Sequence, residues 1–298
     1  MQINLASAPV CWGVLLKDTP GVPPYPQVLD EIKAAGYTGT ELGPYGYLPL
    51  DTAKLRDELD ARGLTLLSAY TQIYFLEPEA YADFYEETLI TARLLSEMGC
   101  EWIVLSDVLL VDKNRSARAG RIRPEDSLSE SQWDTFAKNV DDFARRTRGE
   151  FGLKSVFHNH VGAFVETADE IDALMSRTDP ALVGLCLDTA HAMYGGGDPV
   201  AICKKWADRV WYLHLKECDQ PTLNDVTARE GDYFAGVEAG VFPELGQGSV
   251  NFASLHSLLT EMDYDGWAVI EQDILPGSGL DPLASARRNR EYLEGLGW

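Results

Sequence analysis

The stretch YADFYEETLITARLLSEMGCEWIVLSD, Tyr81 to Asp107, changes character at one residue, Gly99. Before it, apolar side chains recur at helical spacing; after it, the short β-rich run WIVLSD ends on a carboxylate. Glycine adopts the left-handed conformation that commonly closes a helix, so the spacing predicts a helix, its cap and a strand in succession. The same punctuation recurs where YPQVLDEIKAAG closes on Gly36 and DTAKLRDELDARG on Gly63. Strand candidates along the chain are INLASAP (3–9), TGTELG (38–43), TLLSAY (65–70), WIVLSD (102–107), SVFHNH (155–160), VGLCLD (183–188), VWYLHLK (210–216) and WAVIEQD (267–273). Eight such strands alternating with helices, without a linker or break in composition, predict an α/β chain folded as a single (β/α)8 TIM barrel, one domain over residues 1–298. A doubly wound open sheet would carry fewer strands and a Gly-rich phosphate loop, and no G-x-G-x-x-G follows the first strand.

Bulk composition narrows the partners. Forty-seven acidic against 25 basic side chains give a formal net charge of -22, which repels a phosphate backbone and makes nucleic acid an unfavourable partner. No apolar run reaches the length of a membrane span, and the N-terminus MQINLASAPV lacks the basic start and apolar stretch of a signal peptide. The expectation is a cytoplasmic protein, with homo-oligomerisation left open. Cys11, Cys100, Cys186, Cys203 and Cys218 are scattered, without a C-x-x-C pair, and read as reduced structural thiols.

In a barrel of this type chemistry is built at the carboxyl ends of the strands. Those ends carry Glu41, Asp107, His158, His160, Asp188, His214, Lys216, Glu271 and Asp273, with His191 three residues past Asp188. Residues two apart on a strand share a face, so His158 with His160, His214 with Lys216, and Glu271 with Asp273 point the same way. So many carboxylates and imidazoles at one rim are costly to bury without a metal or a substrate. Glu166 lies just before TADE, a capping box with Thr167 as N-cap and Glu170 reaching back, so it is the last loop residue before the fifth helix. Carboxylate and imidazole without thiolate suit a divalent metal ion, Mn²⁺, Co²⁺, Mg²⁺ or Zn²⁺, acting as a Lewis acid on an enediolate. Two loops stand out. VLLVDKNRSARAGRIRPEDSLSES holds Lys113, Arg115, Arg118, Arg121 and Arg123 and reads as a solvated, mobile segment, with an anion or a neighbouring subunit as the other reading. CDQPTLNDVTAREGDYFAGVEAGVFPELGQG is long and Gly-rich, as a lid would be.

GTELGPYGYLP, HNHVGAFVET, LDTAH, HLK and GWAVIEQD together resemble the inosose dehydratase branch of the xylose isomerase-like sugar isomerase and epimerase barrels, over nearly the whole chain. The resemblance implies a hydro-lyase that removes a proton beside a ring ketone and expels a β-hydroxyl as water. A ketose 3-epimerase or sugar isomerase with the same site is the alternative, and a non-catalytic sugar-binding protein a third reading. The resemblance also implies Glu166, Asp188, His214 and Glu271 as metal ligands. Many relatives place the liganding glutamate where His158 stands, so His158 is the alternative first ligand. His158, His160, His191 and Lys216 are the implied acid and base groups; Trp12, Glu41 and Tyr70 would bind the substrate, a cyclic polyol ketone or sugar.

Overall fold

The computed structural model describes residues 3–15, 19–109 and 111–298. Its strands are β1 (Ile3–Ser7), β2 (Gly39–Thr40), β3 in two pieces (Thr65–Leu66 and Tyr70–Ile73), β4 (Trp102–Asp107), β5 (Lys154–His158), β6 (Val183–Asp188), β7 (Val210–Leu215) and β8 (Gly266–Ile270). Every pairing is parallel. One piece of β3 stands at each end of the strand order, and the three residues between them close the ring. Leu67 N–H donates to Thr40 O (3.0 Å), Leu42 N–H to Ser68 O (3.0 Å) and Val104 N–H to Ala69 O (3.1 Å). The expected eighth strand stops at Ile270, leaving Glu271 and Asp273 just past it, and the fifth stops at His158, leaving His160 in the following loop.

Strand alternation sorts the core into two bodies. Ala6, Leu67, Val104, Val156, Cys186, Tyr212 and Val269 form a separate apolar cluster, one residue from nearly every strand, which fills the barrel interior. Trp102, Trp211 and Trp267 pack against this cluster from the strand starts. Gly184 makes room for one of them: a Cβ there would come 2.3 Å from the Trp211 ring. The larger cluster lies between barrel and helices, where Val28, Leu29 and Ile32 of helix Tyr25–Ala34 are fully buried. Such burial stabilises by about 1.5–3 kcal/mol per large aliphatic side chain. Gly99 takes φ 79° and closes helix Ala82–Met98, as its place in the sequence requires. Among the described residues no helix is long and apolar enough to cross a membrane.

The two long loops are folded rather than free. Arg115 is 2% exposed and pairs with Glu170 at 2.6 Å, and Arg118 pairs with Asp126. The expected solvated, mobile segment is thus tied into the structure by its own cations. The loop after β7 forms helices Gln220–Ala228 and Tyr233–Ala239, and Arg121 of the first loop donates to Gly231 O between them (3.1 Å).

Candidate active site

Two residues beyond the apolar interior layer, on the same strand face, stand His158 after Val156, Asp188 after Cys186, His214 after Tyr212 and Glu271 after Val269. The period of two that packs the barrel therefore also builds the site, from four neighbouring strands. One ligand-type atom from each of the four residues lies within 4.8 Å of the others, and all four are buried. His158 Nε2 is 3.4 Å from Asp188 Oδ2, and His214 Nδ1 is 3.3 Å from Glu271 Oε2. Asp188 also caps helix Thr189–Tyr194, its Oδ1 accepting from His191 N–H at 2.8 Å, which leaves Oδ2 facing the group.

Glu166, the first ligand implied by the resemblance, is not among the four. The loop after β5 doubles back, with His160 N–H on Val165 O, and aims Glu166 at backbone. Its two oxygens accept from Gly120 N–H and Gly162 N–H, each at 2.7 Å. Burial pushes its pKa up to about 7, against those amides and the Arg115 guanidinium, which favour the anion. His158, the alternative the sequence left open, fills the place beside Asp188. Glu41 stands behind His214 instead of at an open substrate pocket: it is 1% exposed, and its Oε1 receives Ser68 Oγ (2.6 Å), Tyr212 OH (3.0 Å) and His214 Nε2 (3.1 Å). A carboxylate there favours a proton on His214 Nε2 and leaves Nδ1 facing the donor group; burial disfavours the imidazolium, but Cys186, Glu271 and Glu41 hold its pKa well above the usual histidine range in the absence of a metal. Trp12 commits its indole N–H to Glu31 on helix Tyr25–Ala34 (2.7 Å). Tyr70 does reach the site, its ring 5.4 Å from that of His158 and edge-on; burial pushes its pKa up to about 12.

One further step outward lie His160, Lys216 and Asp273, joined by His191. The Lys216 ammonium touches Glu271 Oε2 (2.9 Å), Asp273 Oδ1 (3.0 Å) and Asp188 Oδ2 (3.3 Å), and lies 3.2 Å from His191 Nε2. Burial disfavours the cation, but these three carboxylates hold its pKa well above the usual lysine range. Burial also pushes His160 down to about 3, helped by His158 and Lys216. A neutral His160 donates Nδ1–H to Val161 O (2.7 Å), and its Nε2 keeps the lone pair. Its ring stacks on His191 at 3.9 Å. Sequence reasoning noted Asp273 without giving it a role and missed Tyr233, whose hydroxyl donates to Asp273 Oδ2 at 2.8 Å. Only the lid-like length of its loop hinted that a residue from there would reach the rim.

The four donors fit a divalent cation on their own chemistry. Asp188 Oδ2 and His214 Nδ1 are buried without a hydrogen-bond partner, both within the group. Asp188, Glu271 and Asp273 around one ammonium leave an excess of negative charge that such an ion would offset. Two imidazoles and two carboxylates suit several divalent metals and select none of them.

Residues 29–297 match the family model described as Xylose isomerase-like TIM barrel. The chain is 33% identical to an inosose dehydratase of Geobacillus kaustophilus (strain HTA426) over 299 residues, 98% of this chain and 94% of that protein. It is 35% identical to the rhizopine catabolism protein MocC of Rhizobium meliloti over 298 residues, 98% and 88% of the two chains. Among solved structures, an IOLI protein with a binding zinc atom is similar with a TM-score of 0.71 at 13% identity, covering 99% of this chain and 98% of that one, a likeness of fold.

Proposed function

The chain belongs to the xylose isomerase-like TIM barrel family as an inosose dehydratase-like member, and from that premise we propose that it is a hydro-lyase that dehydrates a keto-inositol or a related cyclic keto-sugar. The observation that carries the reading is a base and an acid on one rim: a neutral imidazole with a free lone pair, His160, and an ammonium, Lys216, flanking the same donor group. Dehydration beside a ketone needs both, one to take a proton from carbon and one to give a proton to the departing oxygen.

In this mechanism His160 Nε2 removes the proton from the carbon beside the ketone. Lys216 then gives a proton to the β-hydroxyl as its C–O bond breaks, the electron pair leaving with oxygen and the former C–H electrons closing the new double bond. The proton taken and the proton given balance, and one water is lost. His191, touching Lys216, is the group through which that proton is restored. A divalent cation held by His158, Asp188, His214 and Glu271 would supply Lewis-acid stabilisation of negative charge on the ketone oxygen. Glu41, through His214, keeps that set oriented.

Incubating the protein with inosose and a divalent metal in deuterated water tests the reading. The expected products are a dione lighter by one water and, where the first step reverses, recovered substrate carrying deuterium beside the ketone. Deuterium in a ketose that keeps all its hydroxyls, with no water lost from inosose under any metal, would make the protein an epimerase.

A further inference from the structure

Tyr233 reaches the rim from an element that belongs to no barrel strand. It is the first residue of helix Tyr233–Ala239, whose N-cap Asp232 accepts from Ala235 N–H (2.9 Å). It is 6% exposed, whereas the next residue, Phe234, is 40% exposed, so the helix turns one aromatic inward and the other out. The Tyr233 ring lies 5.2 Å from that of His160 and 6.0 Å from that of His191, covering both. Its hydroxyl donates to Asp273 Oδ2 at 2.8 Å, while Asp273 Oδ1 receives Lys216 at 3.0 Å. Asp273 is therefore a bridge, held at one oxygen by the lid and at the other by the ammonium.

We propose that Tyr233 is a positioning residue for the elimination half of the reaction: by holding Asp273 it keeps Lys216 at the place from which the leaving hydroxyl is protonated. Without the tyrosine hydroxyl, Asp273 loses the bond that sets its rotamer. Lys216 then settles on its two other carboxylate partners, Asp188 Oδ2 and Glu271 Oε2, inside the donor group and away from the outgoing oxygen. Removal of the first proton depends on His160, whose own hydrogen bond, to Val161 O, does not involve Tyr233. The two halves should therefore separate.

This rests on the dehydratase reading, and its test separates the two. Tyr233→Phe keeps the ring and deletes the hydroxyl. With inosose, metal and deuterated water, the variant is expected to lose water at least about ten times more slowly than the wild type while exchanging deuterium into recovered substrate at close to the wild-type rate. Amide hydrogen exchange of helix Tyr233–Ala239, read without added metal, is expected to match the wild type, with the lid still seated; Tyr233→Ala should raise it. A Tyr233→Phe variant in which exchange into substrate and water loss fall in parallel, or in which neither falls, overturns the positioning role. A wild type that neither exchanges nor dehydrates inosose overturns the dehydratase reading and this inference with it.

Discussion

Among the buried carboxylates at and beyond the strand ends, Glu166, Glu217, Asp188 and Glu271 fall into two kinds. Glu166 and Glu217 face backbone: Glu166 takes Gly120 and Gly162 amides, and Glu217 takes those of Cys218 (3.0 Å), Val250 (2.8 Å) and Gly246 (2.8 Å). Asp188 and Glu271 face side chains that themselves carry or accept protons, His158, His214 and Lys216. The first pair is satisfied by amides and pins loops; in the second, Asp188 Oδ2 has only ion-pair contacts, His158 Nε2 at 3.4 Å and Lys216 at 3.3 Å, and no hydrogen bond. A carboxylate whose two oxygens both accept buried amides is held in place, since moving it would strand those N–H groups. The identity of the partner, more than burial or position on the rim, separates the scaffold from the site.

The largest test of that contrast is metal content. Asp188→Ala, Glu271→Ala and His158→Gln are each expected to abolish both bound metal and turnover, while Glu166→Gln keeps the metal; elemental analysis of the purified variants reads this directly. Metal retained in His158→Gln and lost in Glu166→Gln would move Glu166 to the other side of the comparison. His160 extends the contrast to an imidazole near the donors but outside them. His160→Gln should keep its metal and lose about 10²- to 10⁴-fold in turnover, the usual worth of a positioned base. An unchanged turnover number would remove it from the chemistry.

Smaller effects probe the scaffold side. Glu217→Gln puts an N–H group against backbone donors and should destabilise by about 1–3 kcal/mol, seen as a lower urea midpoint, with metal content intact. Loss of metal there would blur the two classes. The buried imidazole provides a pH test in metal-free protein. Folding depresses the His160 pKa from 6.5 to about 3, so as pH falls below 6.5 the unfolded chain binds a proton that the folded chain refuses, and stability is lost. The stability of the wild type relative to His160→Gln should therefore fall by roughly 1.4 kcal/mol per pH unit below that point. A difference that stays flat between neutral and mildly acid pH would mean that His160 is not held neutral by the fold.

Much of this was legible because it rests on short-range rules. Helix periods closing on Gly36, Gly63 and Gly99, the Thr167–Glu170 capping box and the alternation along VGLCLD are fixed by residues within a few positions of one another. They place the barrel strands and their carboxyl ends, and so put Asp188, His214 and Glu271 at one rim before any fold is known. The third strand was less legible: TLLSAY reads as one run, yet Leu67 to Ala69 lie between two pieces, because each piece pairs with a different neighbour.

What the sequence by itself determined is the eight-fold alternation, the rim and the residue types gathered there, since each follows from local period and covalent spacing. Tertiary structure alone decided which of those residues face one another. Glu166 is turned from the donors by Gly120, 46 positions away, Glu41 is set behind His214 by an approach across 173 positions, and Tyr233 is carried onto Asp273 across 40. A side chain's partner in a closed barrel depends on how loops from different strands pack over the rim, and no local spacing encodes that distance.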